Sequence, residues 1–188
     1  MIRLMRLWLP LAALVTFVAD FATKWLAIKH LQPYYPWEAI PIIRGYFDLR
    51  WRMNEGGAFS LFHDKPWIIT TFASIAIVAI AIWGFKLPRK VTSAQIAIGM
   101  ILGGAIGNLL DRVRFGYVVD FLHCFIVVDG QEHFWPTFNV ADMGICFGIG
   151  IVLYLSLLTK KLDPETGKPE PQPESSPTAS AVENSAHS

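Results

Sequence analysis

Hydrophobic positions in this chain come in unbroken blocks rather than at helical or strand spacing. Residues 66–85, PWIITTFASIAIVAIAIWGF, hold no charged side chain over twenty positions. As helix, that length crosses the roughly 30 Å of a bilayer's hydrocarbon. Similar blocks run through 94–110 and 140–158, and another, 7–28, is apolar except for Asp20 and Lys24. The pattern predicts a membrane all-α bundle of four transmembrane helices, at about 7–29, 66–86, 94–113 and 140–159. The first block follows Arg3 and Arg6, as a secretory leader would, but the apolar run resumes after Asp20. No small-x-small cleavage site closes it, so it is expected to be a retained helix.

Between the first two blocks, residues 42–53 mix aromatic, branched and charged side chains around a turn-like Arg44-Gly45. Partial alternation from Tyr46 to Met53 predicts short strands, a small β-rich cradle lying on the membrane surface. The 121–138 segment reads as a loop with a turn at Val128-Asp129-Gly130. From Leu162 the chain carries five prolines and five acids with almost no large apolar groups. Such a stretch forms no core, so 1–161 is expected to be the membrane domain and 162–188 a disordered cytoplasmic tail.

Charge adds an orientation. Fifteen Lys/Arg stand against ten Asp/Glu up to residue 161, split among loops rather than gathered into a nucleic-acid-binding patch. Arg3 and Arg6 precede the first helix, Lys86, Arg89 and Lys90 join the second and third, and Lys160 and Lys161 follow the fourth. The positive-inside rule therefore predicts both termini in the cytoplasm. Trp8, Trp25, Trp37, Trp67, Trp83 and Trp135 fall near helix ends, as an interfacial belt requires. Cys124 and Cys146 suggest no disulfide framework and read as unpaired structural thiols.

In that topology the membrane-level polar groups collect at one level, near the outer interface. Asp20 and Lys24 share a helix face by their i, i+4 spacing, as do Asn108 and Arg112. Asn139 and Asp142 open the fourth helix, and Asp120 follows the third. One shared level suits a site at the outer leaflet better than an ion conduit, which needs ionisable groups at several depths. Gly99, Gly103 and Gly107 form a small-residue stripe on the third helix, a close-packing surface for a resident helix or for an incoming substrate segment.

Asp120 and Asp142, 22 positions apart, carry the candidate chemistry. Two converging carboxyls can share a proton, one activating water while the other supplies a proton. Ser60 lacks the surroundings of a nucleophile elbow. His123, Cys124, Glu132 and His133 lack metal-ligand spacing, so no metal is expected.

Together these residues resemble the lipoprotein signal peptidase (signal peptidase II) family of bacterial membrane aspartic endopeptidases. Asp20-Phe-Ala-Thr-Lys24 is similar to the family's Asp-x-x-Ser/Thr-Lys box, and Asn54-Glu-Gly-Gly-Ala-Phe59 to its Asn-x-Gly-x-Ala-Phe loop. Gly103–Arg112 with Val118–Phe121 resembles the third box, and Phe138–Asp142 the fourth. The resemblance implies removal of the signal peptide from diacylglyceryl-modified prolipoproteins, by cleavage before the lipidated Cys in the bacterial inner membrane. It implies Asp120 and Asp142 as catalytic residues, Asn54, Gly57, Asn108, Arg112 and Asn139 as substrate-binding, and Asp20 with Lys24 as a structural pair. No cofactor is required. The expected partners are prolipoproteins and membrane lipids, with globomycin as inhibitor, no nucleic acid, and a monomeric enzyme. Phe21 departs from the family pattern, where a polar residue is common, and the acidic tail lies outside the resemblance. The different-class alternatives are a small ion or proton transporter subunit using Asp20, Lys24 and Arg112, and a non-catalytic scaffold.

Overall fold

The computed structural model describes residues 7–34, 39–56, 66–87 and 91–160. It falls into two units, 1–155 and 156–188, and of the second only the end of the last helix is described. The predicted disordered tail therefore lies outside the described residues.

Four helices, α1 (Trp8–His30), α2 (Pro66–Lys86), α3 (Thr92–Phe115) and α4 (Val140–Lys160), are long and apolar enough to cross a membrane. Small residues set how closely they pack. On α3 a Cβ added at Gly99 or Gly103 would collide with backbone oxygens of Leu9 and Ala13, and one at Gly107 with the Asp20 carboxylate, all on α1. One at Gly104 would strike the backbone oxygen of Ala141 on α4. The stripe is thus filled by resident helices. The alternative of a bed for an incoming substrate segment is excluded along these positions, because no space remains between the backbones. Leu9, Ile98 and Leu102 form a buried apolar cluster, flanked by Ile77, Ile80 and Ala81 of α2.

The expected strands are present, and they extend further than the sequence suggested. A four-stranded antiparallel sheet runs in the order β1 (Ile40–Ile43), β2 (Phe47–Asn54), β3 (Val118–Val128), β4 (Gln131–Phe134). Gly45 turns between β1 and β2 with φ +81°. The 121–138 segment is not a loop. Its run of branched and aromatic residues favours a pleated, half-buried surface, so it pairs as the β3–β4 hairpin, with Asp129 and Gly130 at the turn in positive φ (51° and 75°). Cys124 accordingly sits on β3 and Cys146 on α4, both with free thiols, Cys146 exposed. Trp51, Val119 and Phe121 of the sheet pack with Ala27 of α1 and with Leu31 just past its end, which fixes the sheet against one end of the bundle. Trp8, Trp25, Trp67, Trp83 and Trp135 are exposed, while Trp37 lies outside the described residues.

Helix α3 stops at Gly116, whose left-handed φ of +83° lets its N–H reach the Arg112 carbonyl. Two residues later β3 begins, so the end of α3 and the start of β3 stay in contact.

Candidate active site

Asn139 stands immediately before α4 and caps it reciprocally with Asp142. The Asp142 N–H donates to Asn139 Oδ1 at 2.9 Å, and the Asn139 N–H donates to Asp142 Oδ2 at 3.2 Å. This is a capping box, and it holds a carboxylate in the first turn, where the helix dipole favours negative charge. The same Asn139 is fully buried and turns its side-chain amide to Asp120 Oδ1, at 2.7 Å. One residue therefore ties the two aspartates together.

Each carboxyl has a second amide partner. Asn54 Nδ2 donates to Asp120 Oδ2 at 2.9 Å, and Asn108 Nδ2 donates to Asp142 Oδ1 at 2.8 Å. Asn54 is aimed by a bulge in β2. Leu49 faces Leu122 on β3, but the next matched pair is Arg52 with Asp120, so β2 carries one extra residue between them. Without it, Trp51 and Met53 would stand on the Asp120 face. With it, Arg52 and Asn54 do, and Trp51 turns into the apolar core. Asn54 Oδ1 also accepts from the Gly56 N–H at 3.0 Å. Gly57 lies outside the described residues, as does Ser60.

Beneath the pair, Asp20 and Lys24 are both buried. Lys24 Nζ contacts Asp20 Oδ2 and Asp111 Oδ2, each at 2.9 Å, and donates to Asn108 Oδ1 at 2.8 Å. Asp20 Oδ1 accepts the Ala141 N–H at 2.9 Å, and Asp111 Oδ2 accepts the Val119 N–H at 3.1 Å. Thus Asp20 ties α1 to α4, and Asp111 ties α3 to β3. Arg112 is half-buried, and its charge acts on Asp142, Asp120 and Asp111. Its Nη1 donates to the Asn108 carbonyl at 3.4 Å.

Burial, followed by the neighbouring charge of Asp142, pushes the Asp120 carboxyl up to about 7, although Asn54 and Asn139 both pull the other way. A carboxyl in that range is a proton donor near neutral pH.

Asp111 was not among the expected site residues, yet a signal for it exists. The stripe Gly99, Gly103, Gly107 continues by four to Asp111, and that row faces α1, where Lys24 lies. The parallel row Gly104, Asn108, Arg112 faces the start of α4. The expectation that all polar groups gather at one level needs one correction. Gln95, also buried, sits in the first turn of α3, at the opposite end from the site. Of the four residues weighed as a metal site, His123 bonds to Glu132 at 3.1 Å as part of the sheet. Among the described residues no cluster of three His, Cys, Asp or Glu could hold an ion.

Four membrane-crossing helices capped by a sheet, with a carboxylate pair at that end of which Asp120 is buried and Asp142 partly so, define a polytopic membrane protein with hydrolytic potential. The family model for signal peptidase (SPase) II matches residues 12–158. A lipoprotein signal peptidase of Syntrophotalea carbinolica is 42% identical over 154 residues, covering 79% of this chain and 89% of that protein. One from Teredinibacter turnerae is 38% identical, covering 80% and 87%, and one from Brevibacillus brevis is 37% identical, covering 78% and 93%. A bacterial membrane enzyme solved by the in meso method at 1.9 Å shares the fold, with a TM-score of 0.66 at 24% identity, covering 78% of this chain and 90% of that one. The chain belongs to the signal peptidase II family. It is a peptidase carried on membrane-spanning helices, and the transporter alternative has no support among these relatives.

Proposed function

We propose that the chain is an aspartic endopeptidase that removes the signal peptide from diacylglyceryl-modified prolipoproteins, cutting before the lipidated Cys with Asp120 and Asp142 as its catalytic residues. The observation that carries this reading is the single residue Asn139 donating to both carboxyls.

In the resting pair Asp120 holds a proton and Asp142 is the base. A water gives a proton to Asp142 as its oxygen bonds to the scissile carbonyl carbon, and Asp120 protonates the carbonyl oxygen. The resulting diol returns a proton to Asp120 as the carbonyl re-forms. The C–N bond breaks, and the leaving nitrogen takes the proton from Asp142. Both carboxyls end as they began, so two carboxyls and water suffice. Arg112, Asn54, Asn108 and Asn139 supply N–H donors around the reaction centre, suited to hold substrate carbonyls and developing negative charge. Gly57 belongs to the same motif as Asn54, and its role follows the family pattern.

Lys/Arg clusters before α1, between α2 and α3 and after α4 support cytoplasmic termini. The sheet and the carboxylate pair then lie at the outer leaflet, where the exposed Ile42, Ile43, Phe134 and Trp135 suit a cradle resting on lipid. Membership in the family supports globomycin as an inhibitor occupying this pocket, and a monomer contains every group the mechanism needs. The domain is taken as 1–161, with 162–188 a cytoplasmic tail.

The test is cleavage of a diacylglyceryl-modified prolipoprotein by purified wild type, Asp120→Asn and Asp142→Asn, each checked for folding. Wild type should release the signal peptide, and both variants should lose activity. Full activity in either folded variant refutes the catalytic pair.

A further inference from the structure

Lys24 is 3% exposed on α1, and its contacts are with neither carboxyl of the catalytic pair. Its ammonium has three N–H donors and no acceptor. It donates to Asn108 Oδ1 at 2.8 Å and is ion-paired with Asp20 Oδ2 and Asp111 Oδ2, each at 2.9 Å. Only an oxygen of Asn108 can therefore face it. Asn139 Nδ2 points to the same oxygen at 3.2 Å. With Oδ1 held from two sides, the Asn108 NH2 must turn the other way, and there it donates to Asp142 Oδ1 at 2.8 Å.

A primary amide has nearly the same shape when turned end for end, but its two ends are chemically opposite. An NH2 toward a carboxyl favours the ionised form, whereas an oxygen there favours the protonated form. The direction of Asn108 thus biases which member of the pair carries the proton. We propose that Lys24 is a positioning residue for the peptidase reaction, which keeps the Asn108 NH2 toward Asp142 and so makes Asp142 the base and Asp120 the proton carrier. This rests on the carboxylate-pair reading above. The charged groups facing the pair are Lys24 and Asp20 from α1, Arg52 from β2, and Asp111 and Arg112 from α3. Asp120 on β3 and Asp142 on α4 also face each other.

Lys24→Met alone would strand two buried carboxylates, so the test pairs it with Asp111→Asn. The double variant keeps the net charge of the cluster while freeing the amide to turn. The pH profile of kcat/KM on a diacylglyceryl-modified prolipoprotein is measured for wild type, for Lys24→Met/Asp111→Asn and for Lys24→Arg. Folding is checked by thermal melting. The acidic limb of the double variant should move to higher pH by about one unit, the scale of a lost donor to a carboxylate. Lys24→Arg, still donor-only, should keep the wild-type limb. A folded double variant with the wild-type limb overturns the proposal, even if its rate is lower, because a purely structural Lys24 changes the amount of active enzyme and not its titration. If the double variant does not fold, Asn108→Asp decides. It keeps an oxygen for Lys24 but presents a second oxygen to Asp142, so the limb must again rise, and an unmoved limb overturns the proposal. A wild type that fails on a proven substrate removes the peptidase reading itself, and this inference with it.

Discussion

The side-chain amide of Asn139 donates to Asp120 Oδ1 at 2.7 Å, while the backbone of the same residue closes the α4 cap with Asp142. Helix capping and pairing of the carboxyls are thus one arrangement. A serine can supply a capping oxygen but cannot reach Asp120. Asn139→Ser should therefore retain most of the cap, which is worth about 1 kcal/mol. It should lose activity by about 10²-fold, the scale of a misplaced catalytic group. Thermal melts and initial rates on the same preparations check both halves.

The raised Asp120 carboxyl makes stability depend on pH. Between the ordinary carboxylate value of 3.8 and about 7, the folded state keeps a proton that the unfolded chain has released. The folded state binds more protons in that window, so stability falls as pH rises through it and levels off above about 7. The full effect is of order 4 kcal/mol. Asp120→Asn removes this dependence. Its melting advantage over wild type should be several degrees at pH 8 and clearly smaller at pH 5, and melts at both values decide.

Gly103→Ala and Gly150→Ala separate close packing from helix propensity. A Cβ at Gly103 meets the backbone oxygen of Ala13, which cannot step aside, whereas nothing lies within 4 Å of one at Gly150. The first should destabilise by about 1–3 kcal/mol. The second should be neutral or stabilising by up to about 1 kcal/mol. Equal denaturation midpoints for the two variants would contradict the α1–α3 contact.

In the sheet, Arg50 grips Asp48 through two hydrogen bonds and reaches Glu132 at 3.4 Å. Asp48 raises the Arg50 guanidinium above its ordinary value. Asp48 is buried and Glu132 is exposed, so their losses should differ. Glu132→Ala should cost about 0–1 kcal/mol. Asp48→Ala should cost about 3 kcal/mol or more, since it strips Arg50 of its buried partner. Hydrogen exchange across β2 and β3 should rise strongly only in the second variant.

The membrane class and the four helical blocks were legible in the sequence because a bilayer demands some twenty consecutive apolar residues wherever a helix crosses it. Period-four spacing on α3 was legible too, in the shared face of Asn108 and Arg112 and in the stripe Gly99, Gly103, Gly107, but the continuation of that stripe to Asp111 went without a role until α1 and Lys24 were in place. The β3–β4 hairpin was not legible there, since its apolar run lacks the alternation by which a half-exposed strand is recognised. The bulge in β2 was invisible for a different reason. A register shift exists only between two strands, and 49–54 alone does not say whether Trp51 or Arg52 faces Asp120.

What the sequence determined by itself was which side chains could meet: carboxyls, amides and a lysine, each on a helix face or near a helix end set by its spacing. Tertiary structure decided the polarity of their contacts. That Lys24 is met by three oxygens, that Asn108 therefore turns its NH2 to Asp142, and that Asn139 reaches Asp120 all depend on α1, α3, β3 and α4 arriving at one place. Hydrogen bonds are directional and short-ranged, so their sense is fixed only when every partner is in position.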